Sequence, residues 1–84
     1  LANRAEQFFR HFWKGLDSLA IGTAIVRLPG GVRHATSVVL WVDKDEHIRM
    51  SFMEFSPQHI FYEPPPLGLF RLEQTLWILE EITI

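Results

Sequence analysis

The residues best suited to chemistry in this chain stand in one short charged segment. His47 follows Asp43, Asp45 and Glu46 within a few positions, and carboxylates and imidazoles are residue types that bind metal ions. The flanking residues predict a β-hairpin here, and a tight hairpin turn would point these side chains outward and apart. The sequence has no HExxH motif and no cysteine, so a solvated turn is favoured over a metal site. We predict no metal and no cofactor.

Other candidates for catalysis are isolated in the sequence. Glu54 stands between Met53 and Phe55, and an apolar setting raises the pKa of a carboxyl group. A strand end that faces water is the simpler interpretation of Glu54. Neither a partnered nucleophile nor a nucleophile elbow is found around the histidines and serines, which are His11, His34, His59, Ser18, Ser37, Ser51 and Ser56. We therefore predict no catalytic residue and no enzyme activity.

A basic patch for nucleic acid is the alternative function. Its candidate residues are Arg10, Lys14, Arg27, Arg33 and Arg49. The element order predicted below, αβββα, is also that of the double-stranded-RNA-binding fold, which recognises shape and phosphates. Two observations count against this role. Nucleic-acid-binding domains are usually basic, whereas this chain has a formal net charge of −2. The double-stranded-RNA-binding fold has a lysine cluster where its last helix opens, whereas the corresponding residues 64–71 contain a single positive charge.

Length and composition limit the chain to one small domain over residues 1–84. The absence of cysteine excludes a disulfide and favours the cytoplasm or nucleus, while three Trp and seven Phe give a heavy aromatic content. No uncharged apolar stretch approaches the roughly 18 residues of a membrane span, so we predict no membrane insertion. The chain begins with Leu1 rather than Met, which is compatible with a domain cut from a longer protein.

Three strands are predicted in the middle of the chain from β-branched and aromatic residues between turn formers. They are Leu19–Leu28, Val32–Asp43 and His47–Phe55. Pro29-Gly30-Gly31 predicts a turn between the first two strands. If Lys44-Asp45 forms a two-residue turn, Trp41 pairs with Ile48 and shares a face with Met50. A slip of one residue would mix the two faces of this hairpin.

A helix is predicted at each end of this sheet. The segment from Asn3 to about Lys14 has aromatic residues at helical spacing, and Asn3 and Glu6 resemble a capping box. The segment from Leu69 to Ile84 is ambiguous, because its leucines follow helical spacing while its β-branched end alternates. We predict an α+β fold in which an N-terminal helix packs on a three-stranded antiparallel sheet with a C-terminal helix. The alternative is a C-terminal fourth strand, αββββ.

The stretch from residue 38 to 42 is apolar at every position, a pattern typical of a strand covered on both faces. One helix covers only one face, and leaving large apolar side chains exposed costs about 1.5–3 kcal/mol each. We therefore predict a non-enzymatic protein–protein interaction or self-association module that forms a homodimer or higher oligomer, or binds a protein partner. The predicted interface residues are Val38, Leu40, Val42, Met53, Phe61, Leu76 and Trp77.

Overall fold

The computed structural model of the chain describes residues 19–53 and 60–84, so the helix predicted over residues 3–14 lies outside the described residues. The strands are β1 (Leu19–Arg27), β2 (Arg33–Val42), β3 (Ile48–Phe52), β4 (Gly68–Leu72) and β5 (Thr75–Thr83). They form one antiparallel sheet in the order β3-β2-β1-β5-β4. The sheet curls into a half-barrel, and the described ranges contain no helix.

The α+β prediction is wrong, because the segment predicted as a C-terminal helix is a β-hairpin. It is also not a single fourth strand, since β4 pairs with β5 and β5 pairs in turn with β1. The chain reverses at Glu73-Gln74, where Leu72 is opposite Thr75 and Glu73 has a φ of 57°. A positive φ in a two-residue loop matches the twist of paired strands. Pairing with β1 therefore overrides the helix propensity of the glutamates, which is a weak preference.

The turn predicted between β1 and β2 is confirmed. The Gly31 amide donates to the carbonyl oxygen of Leu28 at 2.7 Å, and Gly30 has a φ of 77°. A type II turn typically has proline at its second position and a glycine with positive φ at its third. Pro29 and Gly30 occupy these positions. The turn starts an antiparallel ladder that extends along the whole of β1.

The turn between β2 and β3 has one more residue than predicted. The Glu46 amide donates to the Asp43 carbonyl oxygen, and the Asp43 amide donates to the His47 carbonyl oxygen, both at 3.0 Å. Glu46 has a φ of 66°, as in a type I turn followed by a residue in the left-handed conformation. The loop therefore consists of residues 44–46, and the predicted two-residue turn is wrong.

This extra residue decides which side chains of β2 lie on each face. Trp41 is opposite Arg49 rather than Ile48, and Leu40 is opposite Met50. Residues directly opposite each other in an antiparallel pair lie on one face. Trp41 and Met50 therefore lie on different faces, which corrects the predicted register.

The concave face of the sheet holds the larger hydrophobic cluster. Its buried residues come from all five strands and are Ala24, Val26, Val38, Met50, Phe52, Phe70, Leu72 and Leu79. The curl brings the two edge strands, β3 and β4, close enough for the rings of Phe52 and Phe70 to stack with centroids 5.6 Å apart. The Phe61 ring packs at an angle against both, with its centroid 5.8 Å from that of Phe52 and 6.0 Å from that of Phe70. These three rings close the open side of the half-barrel.

Strand β2 is buried on both of its faces, as its sequence predicted. Val38 faces the concave cluster and Val39 faces the convex side, and neither has exposed surface. The smaller convex cluster consists of Val39 and Trp41 with Leu19, Ile21 and Met53 packed against them. The curl of the sheet covers the concave side of β2, so that side does not require a second copy of the chain.

Candidate functional site

Arg49, on β3, connects the β2–β3 loop to the segment that follows β3. Its Nε donates to Asp43 Oδ2 at 2.7 Å, and its Nη2 lies 2.6 Å from the same oxygen. Its Nη1 donates to the carbonyl oxygen of Tyr62, and its guanidinium carbon lies 4.7 Å from the centroid of the Tyr62 ring. A cation over an aromatic ring adds roughly 0.5–1 kcal/mol at exposed sites. The guanidinium is therefore held in one orientation by contacts on several sides.

Asp43 orders the β2–β3 loop through its other carboxylate oxygen. Oδ1 accepts hydrogen bonds from the backbone amides of Asp45 at 2.8 Å and His47 at 2.9 Å. The pKa of Asp43 is lowered mainly by the His47 amide, which stabilises the carboxylate; the Asp45 amide and Arg49 act in the same direction, and partial burial opposes them. Asp43 therefore stays ionised and neutralises the charge of Arg49.

The charged segment does not gather its side chains into a metal site. His47 Nδ1 lies 4.0 Å from Asp43 Oδ2 and 3.5 Å from Arg49 Nη2, so the Arg49 cation already occupies this side of Asp43. Across residues 19–53 and 60–84, no three His, Cys, Asp or Glu side chains form a group that could hold a metal ion. Sequence reasoning treated Asp43 as part of a solvated turn and missed its bonds to the loop. These bonds could have been predicted from the sequence, because an aspartate at the first position of a turn commonly accepts hydrogen bonds from the backbone that follows it.

Only three of the catalytic candidates that the sequence considered fall in the described part of the chain. Glu54, His11, His59, Ser18 and Ser56 lie outside the described residues. Ser51 is buried on β3, Ser37 is half-buried on β2, and His34 is exposed on β2 opposite Val26. That the chain has no catalytic residue stays a prediction.

An open groove of about 900 Å³ lies beside the Arg49–Asp43 pair. Its lining residues are Glu46, His47, Ile48, Arg49, Tyr62, Glu63 and Pro64. Tyr62 is 74% exposed and Ile48 is 53% exposed, so the groove presents apolar surface to solvent. Because Asp43 neutralises Arg49, the remaining charges of the groove are the carboxylates of Glu46 and Glu63.

The residues proposed for nucleic acid do not form one free basic patch in the described chain. The Nε atoms of Arg27 and Arg33 lie 3.3 Å and 3.2 Å from the same oxygen of Glu80, and Arg49 is paired with Asp43. Arg10 and Lys14 lie outside the described residues. Each described arginine of this set therefore has a carboxylate partner that lowers its attraction for phosphate.

The seven residues predicted as an interface are divided between the core and the surface. Four lie in or against the concave cluster, and these are Val38, Leu40, Phe61 and Trp77. The other three are Met53, which packs on the convex cluster, the half-buried Val42, and Leu76, which is 42% exposed. That this set forms an interface stays a prediction. Leu76 is the only one of the seven side chains that is exposed.

A strip of apolar side chains lies along the β4 edge, and the sequence analysis had named only Leu76 among its members as an interface residue. Leu67 and Leu69 are 65% and 63% exposed, Leu76 is 42% exposed, and Ile78 is half-buried. Leu69 is opposite Ile78, and Arg71 is opposite Leu76, so Leu69, Arg71, Leu76 and Ile78 share the convex face. We call the three apolar members of this set, together with Leu67 just before β4, the β4 edge strip: Leu67, Leu69, Leu76 and Ile78. The alternating apolar residues around Leu69 could have predicted a strand here. The helical spacing of the leucines was preferred instead, so the exposed face of β4 was not predicted.

Comparisons with known proteins do not assign this chain to a family. A scan against protein-family models, a search of curated proteins and a search of solved structures each found no match. None of the described segments contains a helix long and apolar enough to cross a membrane.

Proposed function

We propose that this chain is a non-enzymatic protein-interaction domain that associates with a second copy of itself through the β4 edge strip. The observation that supports this function is an edge strand flanked by large exposed leucines, with no described strand on its outer side. An edge strand presents unpaired backbone groups that pair readily with another strand. Proteins usually protect such edges with charges, prolines or a covering segment.

The two edges of the sheet differ among the described residues. Along β3, the backbone of Phe61 exchanges two hydrogen bonds with Met50, at 2.8 Å and 3.3 Å. The convex face of β4 has Arg71 as its one charged side chain, next to the exposed Leu69. In the described part of the chain, β3 therefore has a backbone partner on its outer side, whereas β4 has no described strand there.

A second copy is the occupant that suits this edge. Antiparallel pairing of β4 with β4 of another copy is two-fold symmetric, so each copy contributes the same surface. Such pairing adds main-chain hydrogen bonds and places the leucines of the two strips side by side. The strip is a small patch built on a few leucines, whereas a standard interface buries roughly 800 Å² per partner. We therefore expect a weak, reversible dimer.

Light scattering over a concentration series from about 10 μM to about 1 mM tests this proposal. We expect the molar mass to rise from the monomer value of 9.8 kDa towards twice that value. The Leu69→Glu variant should remain monomeric, because it places a charge in the centre of the strip. Circular dichroism would confirm that the variant is folded.

Leu28→Glu is the matched control for this experiment. Leu28 is also an exposed leucine, at 45%, but it lies in the β1–β2 turn. The control should dimerise like the wild type. A wild-type chain that stays monomeric to about 1 mM, or a Leu28→Glu variant that is as monomeric as Leu69→Glu, would contradict self-association through this edge.

A further inference from the structure

We infer that the groove beside Arg49 binds a cationic, partly apolar segment of a partner protein, with an arginine or lysine side chain drawn to Glu46 and Glu63 and apolar neighbours on Tyr62 and Ile48. This groove is lined by the β2–β3 loop, β3 and residues 62–64, and it shares no residue with the β4 edge strip. The inference therefore goes beyond self-association.

The charge of the groove favours a cation. Glu46, Glu63 and Arg49 line it, and the Arg49 charge is offset by the Asp43 carboxylate at 2.6 Å. Glu46 and Glu63 are both exposed, and neither forms an ion pair with another described residue. Among the described residues, the groove thus has two carboxylates without an ion-pair partner, and these attract a partner cation over about a Debye length, 8–10 Å at physiological salt.

The hydrogen bonding of Arg49 argues against an anionic ligand. Its Nε and Nη2 are directed at Asp43, and its Nη1 donates to the carbonyl oxygen of Tyr62. A bidentate site for phosphate or carboxylate needs two free donors of the guanidinium fork. The Nε–Nη2 edge of the fork is taken by Asp43, one Nη1 hydrogen is taken by the Tyr62 carbonyl, and the adjacent Asp43 carboxylate repels a further anion. Arg49 is therefore a poor anion receptor and acts mainly as a wall of the groove.

Because part of the groove is apolar, the partner segment is expected to contain apolar residues beside its cation. One face of the Tyr62 ring meets Arg49, and the ring is still 74% exposed. The accessible face offers stacking to an aromatic side chain or a cation, and Ile48 adds exposed aliphatic surface. Because Arg49 holds the Tyr62 backbone in place, this surface is formed before binding and costs little ordering entropy.

The probe for this test is a fluorescein-labelled hexapeptide of alternating arginine and leucine, and its counterpart replaces arginine with glutamate. Binding is measured by fluorescence anisotropy on the full chain in the Leu69→Glu background, so that self-association does not contribute. We expect the arginine peptide to bind and the glutamate peptide not to bind. Amide chemical-shift changes should concentrate at residues 46–49, 62 and 63.

Three variants of equal net charge separate the groove from general electrostatic attraction. Glu46→Gln and Glu63→Gln should each weaken binding of the arginine peptide by about two- to fivefold, the range of one exposed ion pair. Glu81→Gln removes an exposed carboxylate from β5 and should have no such effect. Equal weakening by Glu81→Gln, equal binding of the glutamate peptide, or shift changes away from the groove would each overturn the inference.

Discussion

At the residue scale, the contacts of Asp43 lead to a defined pH dependence. Its folded-state pKa is lowered, chiefly by the His47 amide, from an ordinary value of about 3.9. A carboxyl group of this kind stabilises the fold above its unfolded pKa, and the contribution is lost as the pH falls through the lower folded pKa. We predict that Asp43→Asn lowers the urea midpoint at neutral pH and that the midpoints of variant and wild type converge in acid.

The measurement is urea denaturation followed by tryptophan fluorescence between about pH 7 and about pH 2. Asp45→Asn is the control, because Asp45 is exposed and contributes only its backbone amide to the described hydrogen bonds of this loop. Its midpoint should follow that of the wild type. A difference between Asp43→Asn and wild type that stays constant at every pH would mean that the charge of Asp43 does not stabilise the loop.

At the element scale, β1 and the end of β5 approach each other closely at Gly22. A Cβ atom placed on Gly22 would lie 2.5 Å from the carbonyl oxygen of Thr83 and 2.8 Å from Ile84 Cδ1. Thr83 is the residue of β5 that pairs with Thr23, so its backbone cannot move without disturbing that ladder. We predict that Gly22→Ala lowers the free energy of unfolding by about 1–3 kcal/mol, the usual cost of overpacking.

Chemical denaturation measures the loss, and amide hydrogen exchange locates it. The amides of the β1–β5 ladder should lose protection first, while those of the β1–β2 ladder keep most of theirs. A Gly22→Ala variant as stable as the wild type would show that β5 shifts at no cost. The same experiment tests whether the residue pairs between β5 and β1 persist in solution.

At the scale of the whole molecule, the charge distribution bears on the nucleic-acid alternative, which stays a prediction. Arg27 and Arg33 share Glu80, and Arg49 is paired with Asp43, while the chain has a net charge of −2. We predict that binding to a generic RNA duplex at physiological salt is no tighter than the non-specific range of roughly 10⁻⁴–10⁻⁶ M. Fluorescence anisotropy at several salt concentrations checks this.

Paired variants show whether any binding uses the proposed arginines. Arg10→Glu combined with Arg33→Glu should not change the affinity if the chain has no phosphate-binding surface. A submicromolar complex that weakens steeply with salt and disappears in this double variant would favour the nucleic-acid function over self-association.

The sequence by itself determined the features that depend on local preferences. Pro29 and Gly30 suit only a few turn geometries, so the β1–β2 turn was predictable. The uninterrupted apolar run of β2 likewise required burial on both faces, which the zero exposure of Val38 and Val39 confirms. The absence of a metal-binding motif and the slight negative charge also followed from composition alone.

The tertiary structure decided the features that depend on residues far apart in the chain. The apolar residues of the last segment fit both helical and strand spacing. Only the pairing of β5 with β1 selects the strand. The register of the central hairpin depends on a single left-handed residue, Glu46, which sequence patterns do not specify because glutamate rarely adopts that conformation. Phe52 and Phe70 meet only when the sheet curls. Curling therefore covers the concave face, and among the described residues it leaves exposed leucines beside β4, which no local pattern encodes.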